Sequence, residues 1–571
     1  MSVLVLPRRR PLLDRWNLSG PQLALAAFVA LFLALFLVLP VVRVMGVAFY
    51  GPDGFTTQNV EDFFATSLFR ESFLNSVYVA AMAVLLASVI AVPLATILAR
   101  YDYPGAGLIQ ALGAIPLVMP PFVGAVAMQL IWGRNGTVNL LLSEAFGFKI
   151  PFMEGLNGVI FVEALHYFPF ILLNLSAALA NIDGSMEEAG QNLGASGWSL
   201  FRKIVFPLAL PGYVAGASLV FVKVFDDLGT PLLLNVTNML APQAYLRITS
   251  VGIGDPVGYV IAAIMVVFSL AAMGLATLSL RGKDYATQQR GGGGLGRRKL
   301  GGDLKIAAHV FVVIALLVAL SPHIGILLLS LGTIWSYSVL PDAYTTAHYA
   351  TIFRESPQLI ANTVLYCGLA AGIDVILGGA IAYFVLRTRL PGRNVLQYVA
   401  MASLAVPGIV LAIGILRTYY DIKLPDGRAL ATFWGMLVIA YAVRRLPYAL
   451  QSCLAALRQI HGSLEEAAEN LGAGKIATFR RIVLPLMAGG LLAGFVTSFA
   501  TAAVELSDTL LLVTREADAP ISYGVYVYMQ SPAGRGPGAA LGVLAVVVVA
   551  LGAWASHRIA ERDRRRRSRE T

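Results

Sequence analysis

Charged side chains stand inside long apolar stretches of this chain, where water is not at hand to stabilise them. Asp226 and Asp227 close the run FVKVFDDLGTPLLL, Glu505 and Asp508 lie in TAAVELSDTLLL, and Arg444 and Arg445 are adjacent in AYAVRRLPYAL. Ionised groups in such runs are costly and mark pathways, relays or buried partners. The acids suit a cation or an amine. The arginines either pair with an acid of the other half of the chain or attract an anionic solute. Asp227 and Glu505 occupy equivalent places in an internal repeat, so a path between the halves would bring them together. The bland alternative is an interfacial acid pair, or an acid bonded to a backbone donor. Lys223, one helical turn before Asp227, is placed to neutralise it. His166 reads as a hydrogen-bonded helix residue, and Cys367 and Cys453 read as packing residues. No His/Cys cluster has metal-ligand spacing, and no nucleophile stands with a matching base. Gly474-Lys475 is followed by Ile476 and lacks the upstream glycine, so it is not a phosphate loop.

A second polar constellation is duplicated. Residues 187–212 read EEAGQNLGASGWSLFRKIVFPLALPG, and residues 465–490 read EEAAENLGAGKIATFRRIVLPLMAGG, an offset of 278 without a gap. Ser185 to Glu188 and Ser463 to Glu466 have the S-x-x-E form of a capping box, which opens a helix. Ala189 and Ala467 favour that helix, and Gly194 and Gly472 supply a left-handed turn that ends it. A second short helix follows, with Trp198, Phe201 and Ile204 on one face in the first copy and Ile476, Phe479 and Ile482 in the second. Pro207 and Pro485 mark entry into the next apolar run.

The elements that position these residues are transmembrane helices. Of the 571 residues, 57% are hydrophobic and 13% charged, against about 25% charged in a soluble domain. Apolar runs long enough to span a bilayer fall near 23–47, 74–99, 107–132, 156–180, 208–229 and 257–280. A second set falls near 306–331, 361–386, 395–416, 433–457, 486–508 and 538–556. Earlier in each half the repeat offset is 287: Asn75-Ser76 matches Asn362-Thr363, Arg100 matches Arg387, Pro104-Gly105 matches Pro391-Gly392, and Pro120 matches Pro407. Six runs per half give both halves the same orientation. The expected fold is an all-α membrane protein of about twelve transmembrane helices in two parallel six-helix repeats. The first unit covers 1–280 (core about 70–280), a Gly/Arg linker 281–305, the second unit 306–556 (core about 358–556) and a basic tail 557–571. With both termini cytoplasmic, most of the 42 Lys and Arg fall on the inner side, as the positive-inside rule requires. The net charge of +10 therefore points to topology rather than to nucleic acid, because no aromatic residues interleave with the basic runs; the Arg564–Arg567 run reads first as a solvated tail, with anionic membrane lipid as its alternative partner.

The pattern E-A-A-x-x-x-G followed by I-x-L-P resembles the coupling loop of permeases of ATP-binding-cassette importers. It is carried by Glu188, Ala189, Gly194, Ile204 and Pro207, and again by Glu466, Ala467, Gly472, Ile482 and Pro485, with Gly190 and Phe206 as mild departures in the first copy. The resemblance covers nearly the whole chain, one permease unit per half. It implies a cytoplasmic coupling helix in each half that docks on one of two cytosolic cassette ATPase subunits, which bind ATP and Mg in place of any cofactor in this chain. It also implies a periplasmic or lipid-anchored solute-binding protein, a bacterial inner-membrane location, and alternating access with no catalysis by the chain itself. Fused permeases of this appearance resemble the group serving ferric iron, thiamine and 2-aminoethylphosphonate, with iron ranked first and aminoethylphosphonate next. In this reading Asp227, Glu505, Asp508, Arg444 and Arg445 line the translocation path. The rival class is a twelve-helix secondary transporter driven by an ion gradient, which has no need of duplicated docking loops.

Overall fold

The computed structural model describes residues 20–51, 54–279 and 299–570, with side chains described up to residue 554 except Thr277, Ser279 and Ala553. Residues 281–298 of the expected linker lie outside the described residues, as do the N-terminal arginines, and its last residues, 302–305, already belong to a long helix; the side chains of the C-terminal basic run are likewise not described. Apart from a hairpin of two-residue strands, Tyr50–Gly51 with Gly54–Phe55, the described architecture is helical.

Nine described helices are long and apolar enough to cross a membrane. They are α1 (Gly20–Phe49), α2 (Ser67–Arg100), α5 (Gly155–Ala180), α7 (Gly197–Asp226), α10 (Pro256–Ser279), α11 (Gly302–Leu331), α13 (Pro357–Arg387), α18 (Lys475–Ala503) and α21 (Arg535–Glu570). The third span of each repeat is not straight, as a single apolar run would suggest. Helices α3 (Ala106–Val118) and α4 (Pro121–Phe146) meet at 103°, and α14 (Arg393–Ala405) and α15 (Gly408–Tyr419) meet at 110°. Counting each bent pair as one span gives eleven. The expected twelfth, α16 (Trp434–Arg458), is 25 residues long, but Arg444 and Arg445 depress its hydropathy. The breaks coincide with Pro120 and Pro407, which hold extended backbone at ψ 144°. A proline disfavours helical geometry in the residue before it and has no N–H to give.

Shorter helices complete each repeat: Gln58–Ala65, α6 (Gly184–Asn192), α8 (Gly229–Leu233) and α9 (Leu240–Ser250) in the first, and α12 (Ala347–Glu355), α17 (Ser463–Asn470), α19 (Ser507–Leu512) and α20 (Ile521–Met529) in the second.

The chain forms two compact units that do not coincide with the sequence repeats. One holds residues up to Val44 with Gln358–Pro520 and the end of α21; the other holds Met45–Pro357 with Ile521–Val546. In the first, α1 packs with the second repeat: Tyr419 donates its hydroxyl to the Leu35 carbonyl at 2.8 Å, and Gly414 lies directly against Pro40. In the second, α11 packs with the first repeat: Gly325 lies against Ala127 and Ile131, and Trp132 Nε1 donates to Ser321 Oγ at 3.0 Å.

Glycines allow close helix approaches. Gly212 and Gly216 on α7 face Asn174, Ala178 and Ile171 on α5. Their repeat partners Gly490 and Gly494 on α18 face Ser452, Ala456 and Ala449 on α16. This is the small-xxx-small spacing that lets two helix backbones meet where lipid offers no hydrophobic drive. Gly494→Leu is expected to cost about 1–3 kcal/mol by overpacking, read as a lower unfolding temperature of the purified chain in detergent. An unchanged midpoint would contradict the close-approach account.

Candidate functional sites

The duplicated segment forms the first site. In the first copy, the helix α6 opens on Asp183, whose carboxylate accepts from Ser185 N at 2.9 Å. In the second, Gly462 precedes α17 and no side chain caps it; Ser463 instead bonds His461 at 3.1 Å. The expected Ser-Glu capping boxes are therefore not formed. The reason is that the helices start close enough to the preceding span for Asp183, or for a tight turn, to take the N-terminal role. The helix ends follow the glycines. Gly194 and Gly472 sit at φ +86° and +87°. Ala195 N bonds Gly190 O and Ala473 N bonds Ala468 O, each at 3.0 Å. That is the six-to-one closure a left-handed residue permits.

The expected second short helix is not separate. Gly197–Leu200 and Lys475–Thr478 run on through π-helical turns, Phe201–Val205 and Phe479–Val483, into α7 and α18. Pro207 and Pro485 follow each turn by two residues, as Pro40 follows the π turn Ala34–Val38 in α1. A proline cannot bond the carbonyl four residues back and crowds it; widening the preceding turn relieves both problems.

Of the nominated residues, Glu188, Ala189, Gly194, Glu466, Ala467, Gly472, Pro207 and Pro485 are exposed, and Ile204 and Ile482 are half-buried. Gly190, the departure from alanine, lies so close to Ile204 that an added methyl would displace it. The segments also expose apolar side chains at matched positions. Leu193 and Leu471 are each 89% exposed, and Trp198 and Ile476 are 72% and 56% exposed. Sequence reading missed these leucines, although their place beside the terminating glycine in both copies was the available signal. It also missed the acids that meet arginines. Glu187 pairs with Arg100, and Glu465 Oε1 lies 2.5 Å from Arg387 Nε.

The second site is intramembrane. Arg444 Nη1 lies 2.8 Å from Glu505 Oε1 and 3.4 Å from Asp508 Oδ2, and Arg445 Nη2 pairs with Glu505 Oε2. All four side chains are at most 8% exposed. Glu505 also accepts from Ser507 N at 3.1 Å. Tyr441 and Thr509 share a hydroxyl bond of 2.5 Å. Gly408 opens α15 beneath the Arg444 guanidinium, where a Cβ would collide. The arginines thus meet acids of their own repeat. Asp374, fully buried on α13, lies against Ser498 and Arg445.

The first repeat holds different chemistry at the same places. Asp227 accepts from Thr230 N at 2.8 Å at the start of α8, matching the backbone bond that Glu505 makes at the start of α19. Asp226 is buried. Glu163, fully buried on α5, lies against Asp227 and Thr230. The buried His166 ring meets Tyr167 edge-on, 4.5 Å between centroids. Asp227 and Glu505 belong to different compact units, and each is engaged within its own. Glu163 and Asp374 were passed over in the sequence, though a lone acid in an apolar run is itself the signal. Among the described residues no three His, Cys, Asp or Glu stand together as metal ligands.

Residues 91–284 and 374–566 each match the model of the binding-protein-dependent transport system inner membrane component family. FbpB 1 of Haemophilus influenzae, named as a ferric transport system permease, is 27% identical over 510 residues, covering 87% of this chain and 79% of its own. The ferric transport system permease protein FbpB of Actinobacillus pleuropneumoniae is 26% identical over 517 residues, 89% of this chain and 74% of its own. The molybdenum transport system permease ModB of Escherichia coli is 31% identical over 162 residues, 28% of this chain and 70% of ModB.

Arg445→Met leaves Arg444 alone against two buried carboxylates, Glu505 and Asp508, and this uncompensated charge is expected to destabilise the chain by about 3–5 kcal/mol. Arg445→Met with Glu505→Met, leaving Arg444 with Asp508, should recover most of that loss in the same thermal measurement. A double variant as unstable as the single would contradict mutual neutralisation.

Proposed function

The chain belongs to the family of binding-protein-dependent transport system inner membrane components, and on that premise we propose that it is the conducting subunit of an importer driven by two separate cassette ATPases. It is a multi-pass inner-membrane permease of the ATP-binding-cassette class, a transport subunit rather than an enzyme. The observation that carries the proposal further is the matched pair of exposed leucines, Leu193 and Leu471. Each stands beside a left-handed glycine on a short polar helix, in a segment kept nearly unchanged across an otherwise diverged repeat. Two like surfaces fit two like partners, one ATPase on each, with both termini of the chain on the same cytoplasmic side. A solute-binding protein delivers cargo to the opposite face, and the basic ends meet anionic lipid.

For the solute we propose ferric iron, the cargo in the names of the two long relatives. The buried carboxylates Glu163 and Asp226 of the first repeat, with half-buried Asp227 beside them, support a cationic cargo. The anionic alternative, aminoethylphosphonate, has weaker support, because Arg444 and Arg445 are already neutralised by Glu505 and Asp508. Transport follows alternating access: ATP binding draws the ATPases and their coupling helices together, and hydrolysis resets them.

Proteoliposomes holding the chain, its ATPase and its binding protein should take up ferric iron with ATP and not with an ion gradient alone. Leu193→Asp or Leu471→Asp should weaken ATPase association at least about tenfold, the worth of about 1.5 kcal/mol for a buried leucine. Gly194→Val or Gly472→Val, strained by about 1–2 kcal/mol, should lower it less. Full association of both Asp variants would remove the docking assignment, and gradient-driven uptake without ATPase would favour a secondary transporter.

A further inference from the structure

In each repeat one long helix is held at both ends by side chains that recur at equivalent positions. Arg100, the last residue of α2, pairs with Glu187 of α6, their side chains 8% and 1% exposed. Arg387, the last residue of α13, pairs with Glu465 of α17, their side chains 18% and 15% exposed. Arg387 also donates to the carbonyls of Leu457 at 3.2 Å and Ile460 at 2.6 Å, tying in the otherwise open C-terminal end of α16.

At the other end of the same helices stand the matched asparagines. Asn75 Nδ2 donates to Asn238 O at 2.9 Å, and neighbouring Ser76 Oγ accepts from Leu240 N at 2.8 Å. Asn362 Nδ2 donates to Ala517 O at 2.8 Å and Ala519 O at 2.9 Å. These carbonyls lie in the segments just after α8 and α19, the short helices that follow the mid-membrane acids.

We propose that α2 and α13 are push-rods, each pinned to a coupling helix by its Arg–Glu pair and to the segment beyond the mid-membrane break by its asparagine. The chain itself joins α6 to α5 through the short link 181–183, and to α7 through the left-handed turn at Gly194. The Arg–Glu pair is a third attachment, to a helix 87 residues away in sequence. The two pins stand 25 residues apart in each helix, Asn75 to Arg100 and Asn362 to Arg387, about 38 Å along the axis, and the helix between them carries a displacement at one end to the other. Arg100, Arg387, Asn75 and Asn362 are then positioning residues that act through the coupling helices and the far segments. The inference rests on the coupling role proposed above.

The test uses the complex of the full chain with its ATPase and binding protein in proteoliposomes, and reads ATPase co-purification, stimulation of hydrolysis by solute-loaded binding protein, and uptake per ATP. Glu187→Gln and Glu465→Gln, which keep side-chain shape, should retain the ATPase and lose stimulation and uptake per ATP at least about fivefold. Asn75→Ala and Asn362→Ala, at the far ends, should give the same loss. Arg387→Glu with Glu465→Arg should restore at least half of the coupling. Normal stimulation in the Gln variants would overturn the proposal, as would loss of ATPase binding or of membrane assembly in them, which would make the pairs docking or folding contacts. Uncoupling by the Glu variants without the Asn variants would overturn the rod. A wild-type chain that recruits no ATPase would instead reject the coupling role itself.

Discussion

A charge carried into the interior of a membrane protein must meet its counter-charge or a hydrogen-bonding partner there, since desolvation otherwise costs several kcal/mol. That constraint decides which helices are neighbours. Arg444 and Arg445 fasten α16 to the segment after α18 through Glu505 and Asp508. Arg100 and Arg387 fasten α2 and α13 to the short helices α6 and α17. Small residues do the complementary work, letting α7 close on α5 and α18 on α16 at glycines where no side chain intervenes.

The repeat preserves some chemistry and discards the rest. Glycine turns, π turns, exposed leucines and Arg–Glu pairs recur in both copies of the duplicated segment. Mid-membrane the copies part: Glu163 stands where the second repeat has Tyr441, His166 where it has Arg444, Asp227 where it has Glu505, and Thr230 where it has Asp508. Two identical subunits could not differ in this way. A fused chain keeps a twofold pair of exposed segments while giving each half its own buried polar cluster.

Features governed by near neighbours in sequence were legible there. The left-handed turns at Gly194 and Gly472 need only the glycine and the helix before it. The apolar runs foretold most helix bounds within a few residues, as at α5 and α16. Features decided by tertiary partners were not legible. Pro120 and Pro407 were visible as repeat markers, but the bends of more than 100° depend on how α4 and α15 pack. Ser185 and Ser463 had the pattern of capping boxes, yet Asp183 took the bond in one copy and a glycine turn replaced it in the other. Glu188 and Glu466 stood out by motif, whereas the acids one residue earlier are the ones that arginines reach. The packing of α1 with the second repeat, and of α11 with the first, leaves no local signature.

The claim on which the account stands is that this chain works with two external ATPases. Native mass spectrometry of the tagged chain, purified in mild detergent from cells expressing its neighbouring transport genes, tests it directly. The account predicts one copy of the chain with two copies of a cassette ATPase. A chain that runs alone and, so purified, transports solute under an ion gradient would contradict it.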